Sequence, residues 1–160
     1  MSVIGVVDPT CENTLGFDLD LHVPRLPPQL EFQIQVTVSG KTIFRTIIDE
    51  GASTCIMLIN IWKAIGSPPL TGSPNTLKAF DGQVLSPLGI LKSLFISLEG
   101  KSIEVDMEVI DPPLNFNILL GRNWIYNMST VVSSLFKVIK FPFQGKIVTV
   151  DQFAFFNVDA

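Results

Sequence analysis

Asp49 is the residue whose setting could do chemistry. It stands in Thr46-Ile47-Ile48-Asp49-Glu50-Gly51-Ala52-Ser53-Thr54, where an apolar run stops at an acid and a loop of small residues follows. A carboxylate at the mouth of such a loop can act as general base or general acid. On this local motif alone, an aspartate closing a hairpin turn is the better reading, since Asp and Gly are common turn residues. Metal chemistry and cofactors are not expected: Cys11, Cys55 and His22 are the only cysteines and the only histidine. They are too few for a Cys/His zinc site or a disulfide framework. His22 reads as solvated and Cys55 as a buried, inert thiol.

The elements that must position Asp49 are mostly strands. From Leu30, the residues Phe32, Ile34, Val36 and Val38 alternate with polar ones, the period-2 pattern of a half-buried strand. Ser39-Gly40 then turns the chain, and a second strand over 42–48 runs straight into Asp49. The stretch 56–65 has helical or short-strand character and stops at Gly66-Ser67-Pro68-Pro69. Residues 77–80 and 84–90 read as a hairpin with Asp81-Gly82 near its tip, a turn on any reading of the protein. Further strands are expected over 91–98, 103–110, 117–120, 131–139 and 146–150, with one helix over 122–128. Along 103–110, Glu104, Asp106 and Glu108 fit the wet face of a strand rather than a metal cluster. Trp62 and Trp124 read as core or interface anchors. Many short strands with one or two short helices predict an all-β fold, a closed barrel.

Three motifs come in a fixed order: Ile47-Ile48-Asp49-Glu50-Gly51-Ala52, then Ala79-Phe80-Asp81-Gly82, then Leu119-Leu120-Gly121 ahead of Arg122-Asn123-Trp124. Together they resemble the retroviral-type aspartic proteases, most closely those encoded by plant retrotransposons of the Ty3/gypsy class, and the likeness covers roughly 30–150. The ordered set reverses the reading of Asp49 as a mere turn residue. The resemblance implies a closed β-barrel of the retroviral acid-protease type that works as a homodimer. It makes Asp49 the catalytic acid, with Glu50, Gly51, Ala52 and Ser53 as the active-site loop. It also makes Phe80, Asp81 and Gly82 a substrate-covering flap, and Leu119, Leu120 and Gly121 the structural motif that precedes a helix. Gly121 would be the small residue between strand and helix on either reading.

Chemistry argues for pairing on its own terms. Metal-free peptide hydrolysis by carboxylates needs one to activate water and one to protonate the departing nitrogen. This chain has one Asp-x-Gly and is too short for a two-lobed arrangement, so the second acid must come from a second copy of the chain. Substrate would lie extended, as an added strand, with apolar pockets choosing side chains. Glu50 departs from the family pattern, which has Ser or Thr there bonding across the dimer. A glutamate either adds negative charge beside the Asp49 pair or points outward.

Composition sets the outer bounds. At 160 residues the chain suits a single core, and 47% hydrophobic against 16% charged residues excludes a disordered tail and leaves apolar surface for a partner. A formal charge of −4 with eleven scattered Lys and Arg argues against nucleic acid as a ligand. No segment approaches the length of a membrane span. The start, MSVIGVVDPT, lacks a basic region and is interrupted by Asp8, so no secretory signal is expected, and Asn127-Met128-Ser129 reads as a chance sequon. Residues 1–29, ending in a proline-dense stretch, read as a loose arm or linker and 30–160 as the protease domain. The expected role is an endopeptidase acting on a retroelement polyprotein, in the cytoplasm or within an assembling particle. Two rivals stand beside it: a catalytically inactive protease-like domain serving as a dimerisation or peptide-binding module, and a small barrel unrelated to proteases that binds an apolar ligand.

Overall fold

The computed structural model describes residues 32–73, 77–78, 84–112 and 114–152, with backbone only at 77–78 and 84–85. The expected arm over 1–29 and the expected flap residues Phe80, Asp81 and Gly82 lie outside the described residues. What is described is mostly β-structure with two short helices. It groups into two compact units, one of Gln33–Asn127 and one holding Phe32 and 128–152.

The first unit is built on a closed six-stranded barrel. Its strands are β1 (Gln33–Val38), β2 (Lys41–Ile48), β3 (Cys55–Leu58), β6 (Gly89–Leu98), β7 (Lys101–Ile110) and β8 (Ile118–Leu120). A two-stranded pair, β4 (Leu77–Lys78) with β5 (Val84–Leu85), and the helix α1 (Ile59–Ala64) complete it with most of α2 (Arg122–Met128). The order around the barrel is β1-β2-β8-β3-β7-β6, with β1 pairing β6 to close it. Closure leaves these strands no open edge.

Local sequence explains most of these elements. β1 buries Ile34, Val36 and Val38 and turns Gln33, Gln35 and Thr37 away from the core, as its alternation predicts. Ser39 and Gly40 both take positive φ, 50° and 75°, the two-residue turn whose twist suits a hairpin. β8 behaves differently: it runs parallel to β2 and antiparallel to β3, and all three of its residues are buried. A strand covered on both faces needs an unbroken apolar run, which Ile118-Leu119-Leu120 supplies. Ile47, Leu58, Ile110, Phe116 and Leu119 form a core cluster there, with Ala52 and Ile56 packed on it.

Two bulges bend the barrel. Phe44-Arg45 stands opposite a single β1 residue, with Arg45 at φ 52°, and Asn117 braces it through Nδ2–H to the Phe44 carbonyl and N–H to the Arg45 carbonyl. Lys92-Ser93 stands opposite Asp106, whose carboxylate accepts the Ser93 N–H at 2.9 Å and pairs with Lys92.

Three expectations are corrected. The strand expected over 84–90 is broken at Ser86-Pro87, and its halves pair with different partners, β4 and β7. Pro87 has no N–H to continue a ladder. Glu108 is not on a wet face: it is only 4% exposed, because β7 runs between β6 and β3 and Glu108 pairs with Ile90 on one side and Ile56 on the other. Glu104 and Asp106 are exposed as expected. The strand expected over 131–139 is two.

Those two belong to the second unit, a three-stranded antiparallel sheet with β10 (Val138–Phe143) between β9 (Val131–Ser133) and β11 (Lys146–Asp151). The chain reverses over 134–137, where Ser133 Oγ accepts the Phe136 N–H at 3.1 Å and Lys137 takes φ 56°. Apolar residues on both sides of this reversal hide it from a period count.

Candidate active site

Because β8 lies between β2 and β3, the chain leaving β2 must pass over the end of β8 before it can return as β3. The segment 49–54 is that bridge. Asp49 opens it, half-buried, and its N–H donates to the Leu120 carbonyl at 3.0 Å, extending the β2–β8 ladder by one bond. Its carboxylate oxygen Oδ1 accepts the Gly51 N–H at 2.8 Å, and its carbonyl accepts the Ala52 N–H at 3.3 Å. An aspartate that accepts the N–H two residues ahead stabilises a tight turn and has its own side chain oriented by it.

Space is tight at Gly51 and excludes any side chain at Gly121. A Cβ on Gly51 would stand 3.1 Å from Asp49 Oδ1. A Cβ on Gly121 would run into the Thr54 carbonyl oxygen and stand 2.7 Å from that of Ala52. The loop therefore rests on the bare backbone of Gly121. One residue on, the Arg122 N–H donates to the same Ala52 oxygen at 2.8 Å.

The structure thus brings Asp49, Gly51 and Ala52 together with Leu119, Leu120 and Gly121, two segments that the sequence holds far apart. Ala52 is half-buried in the core cluster that includes Leu119, whereas Glu50, Gly51 and Ser53 are exposed. Among the described residues, no group of three or more His, Cys, Asp or Glu could hold a metal ion.

Sequence reasoning assigned no role to Asn123, quoted only as part of the third motif. Its Oδ1 receives the Cys55 thiol at 2.9 Å. A half-buried amide between the apolar runs 118–120 and 124–125, beside the exposed Arg122, was the signal available. Cys55 is fully buried, the expected inert thiol. Burial pushes that thiol up to about 11, against a weaker opposite pull from the backbone of Gly121 and Trp124. Trp124 is buried as well, and half-buried Trp62 donates its ring N–H to the Pro68 carbonyl at 2.8 Å.

No family model matches this sequence, and no curated protein matches it. Solved structures do match. The retroviral protease-like domain of Ddi1 from Leishmania major superposes with a TM-score of 0.58 at 13% identity, over 76% of this chain and 95% of that one. The EIAV protease, solved with the inhibitor HBY-793, superposes with a TM-score of 0.54 at 15% identity, over 66% of this chain and 94% of that one. At such identities the likeness is one of architecture, and the architecture of this chain is that of the retroviral protease-like domains rather than of an unrelated barrel.

Proposed function

We propose that this chain is one subunit of an aspartic endopeptidase, completed by a second copy so that two Asp49 carboxylates share one site. The observation that carries the reading is the placement of Asp49. It ends a buried strand, is tied to Leu120, has its carboxylate oriented by the Gly51 N–H, and sits in a loop braced on Gly121. The Gly51 bond is one that a turn aspartate also makes; what goes beyond a turn is the seat on Gly121 and the tie to Leu120, which preorganise the acid.

Two carboxylates brought together hold one proton between them, since both cannot ionise cheaply at short range. The ionised one takes a proton from water as its oxygen attacks the peptide carbonyl carbon. The protonated one supports the carbonyl oxygen. When the C–N bond breaks, a proton passes to the departing nitrogen, leaving a carboxylic acid and an amine. Substrate binds as an extended peptide with largely apolar side chains.

The retroelement polyprotein as substrate, the Ty3/gypsy origin and a cytoplasmic or particle location rest on the ordered sequence motifs.

The exposed Glu50 favours a second reading, an inactive protease-like domain that binds peptides or dimerises. A peptide-cleavage assay at pH between about 4 and 6, run on wild type and Asp49→Ala, separates the two. Cleavage by wild type alone is expected. Equal cleavage by both, or none by either, leaves only the module. Sedimentation tests the pairing: a chain that stays monomeric at every concentration cannot assemble the site.

A further inference from the structure

Asn123 is half-buried in the first turn of α2, and its Oδ1 meets two groups, the Cys55 Sγ and the Trp124 N–H, each at 2.9 Å. A backbone N–H can only donate, so the side-chain atom facing it must be the amide oxygen and not the NH2 group. That assignment makes the thiol the donor to the same oxygen. Cys55 opens β3 directly after the 49–54 bridge, and 68 residues of chain separate it from Asn123. With its pKa raised to about 11, the thiol keeps its proton across the neutral and acidic range and can donate throughout.

The bridge is anchored at three points. Its start is held by the Asp49 N–H on the Leu120 carbonyl, and its middle by the Arg122 N–H on the Ala52 carbonyl. Its end is held by the Cys55 thiol on Asn123. The first two are backbone bonds that tolerate many side chains. Only the third depends on the identity of two residues.

We propose that Asn123 is a positioning residue for the Asp49 loop, acting through the Cys55 thiol to set where the loop ends and β3 begins. Its kinetic consequence rests on the peptidase reading above; its structural content does not. Losing the acceptor leaves a buried thiol unpaired, and losing the donor takes away one of the two groups on the Asn123 oxygen. Either change loosens the far end of the loop that carries Asp49, which keeps the backbone pairing of Cys55 with Met107 of β7.

The test compares Asn123→Leu, Asn123→Asp, Cys55→Ala and the Asn123→Leu/Cys55→Ala double variant in the full chain. Amide hydrogen exchange at Gly51, Ala52 and Arg122 is read against exchange in β6 and β7. Asn123→Leu and Cys55→Ala are expected to speed exchange in the loop by about tenfold, the factor a hydrogen bond of ordinary strength supplies. The double variant adds little to either single change, because both remove one interaction. Asn123→Asp keeps an acceptor oxygen in place and stays near wild type. If Asn123→Leu does not fold, Cys55→Ala against Asn123→Asp carries the same comparison.

In the cleavage assay, the two disruptive variants should lower kcat by about tenfold with KM within roughly twofold, since positioning acts on the reacting acid rather than on peptide binding. Loop exchange unchanged in every variant overturns the proposal, and so does an equal acceleration in loop and barrel strands, which marks a merely structural pair. Faster exchange confined to the loop, in a protein that cleaves nothing, upholds the positioning and removes the peptidase reading instead.

Discussion

The carbonyl oxygen of Ala52 lies 2.7 Å from where a Cβ would stand on Gly121, so the two residues can be neighbours only because one of them has no side chain. The Ala52 oxygen then accepts the Arg122 N–H, which joins the Asp49 loop to the first turn of α2. The loop is seated on backbone, and the seat comes from a part of the sequence remote from the loop.

Gly121→Ala follows directly. The added methyl would meet the carbonyl oxygens of Thr54 and Ala52, and the Ala52 oxygen cannot move away without straining its bond from the Arg122 N–H. A loss of about 3 kcal/mol or more in unfolding free energy is expected by urea titration. A loss below about 0.5 kcal/mol, the size of an ordinary surface change, would show that the loop does not rest on Gly121.

Cys55 makes the fold sensitive to alkali. Burial raises its thiol from 9.0 to about 11, so the folded state holds that proton more tightly than the unfolded chain. The resulting stability is complete below about pH 9 and is lost as the pH rises toward 11. Lys101 drifts the opposite way, because burial lowers its ammonium and favours folding as the proton leaves. Comparing wild type with Cys55→Ser cancels that drift. Urea unfolding at pH 8 and pH 10.5 should show a steeper loss in wild type, on the order of 2 kcal/mol. Parallel losses in the two proteins would mean the thiol ionises as freely in the fold as outside it.

Glu50 is exposed in the single chain, next to Asp49. If two copies pair through this loop, two Glu50 carboxylates approach one another near the axis. Replacing Glu50 with Thr removes that repulsion and supplies the short hydroxyl that the sequence resemblance leads one to expect there. Association by sedimentation at neutral pH should tighten roughly fivefold, the factor that ~1 kcal/mol of like-charge repulsion supplies. Unchanged or weaker association would place Glu50 away from its twin.

Reading the sequence worked where local physics is decisive. Alternation along 32–38 marked β1, Ser39-Gly40 marked the first turn, and the helix over 122–128 lies where it was expected. It failed where partners override pattern. Glu108 alternates like a surface residue yet is buried, because its hairpin neighbour β6 flanks β7 on one side and β3, supplied by a distant segment, flanks it on the other. The turn at 134–137 carries Leu135 and Phe136 at its centre and apolar pairs on either side, so the period count runs straight through it.

By itself, the order of residues determined that an acid would end an apolar strand, that small residues would follow it, and that an apolar strand ending in glycine would come later. Those features are periodicity and side-chain size, which a chain carries in any conformation. Only the tertiary structure decided that β8 inserts between β2 and β3, which forces the loop over Gly121 and brings Asn123 to Cys55. Contacts across 68 residues depend on which strands pair, and strand pairing is settled by the whole barrel closing at once.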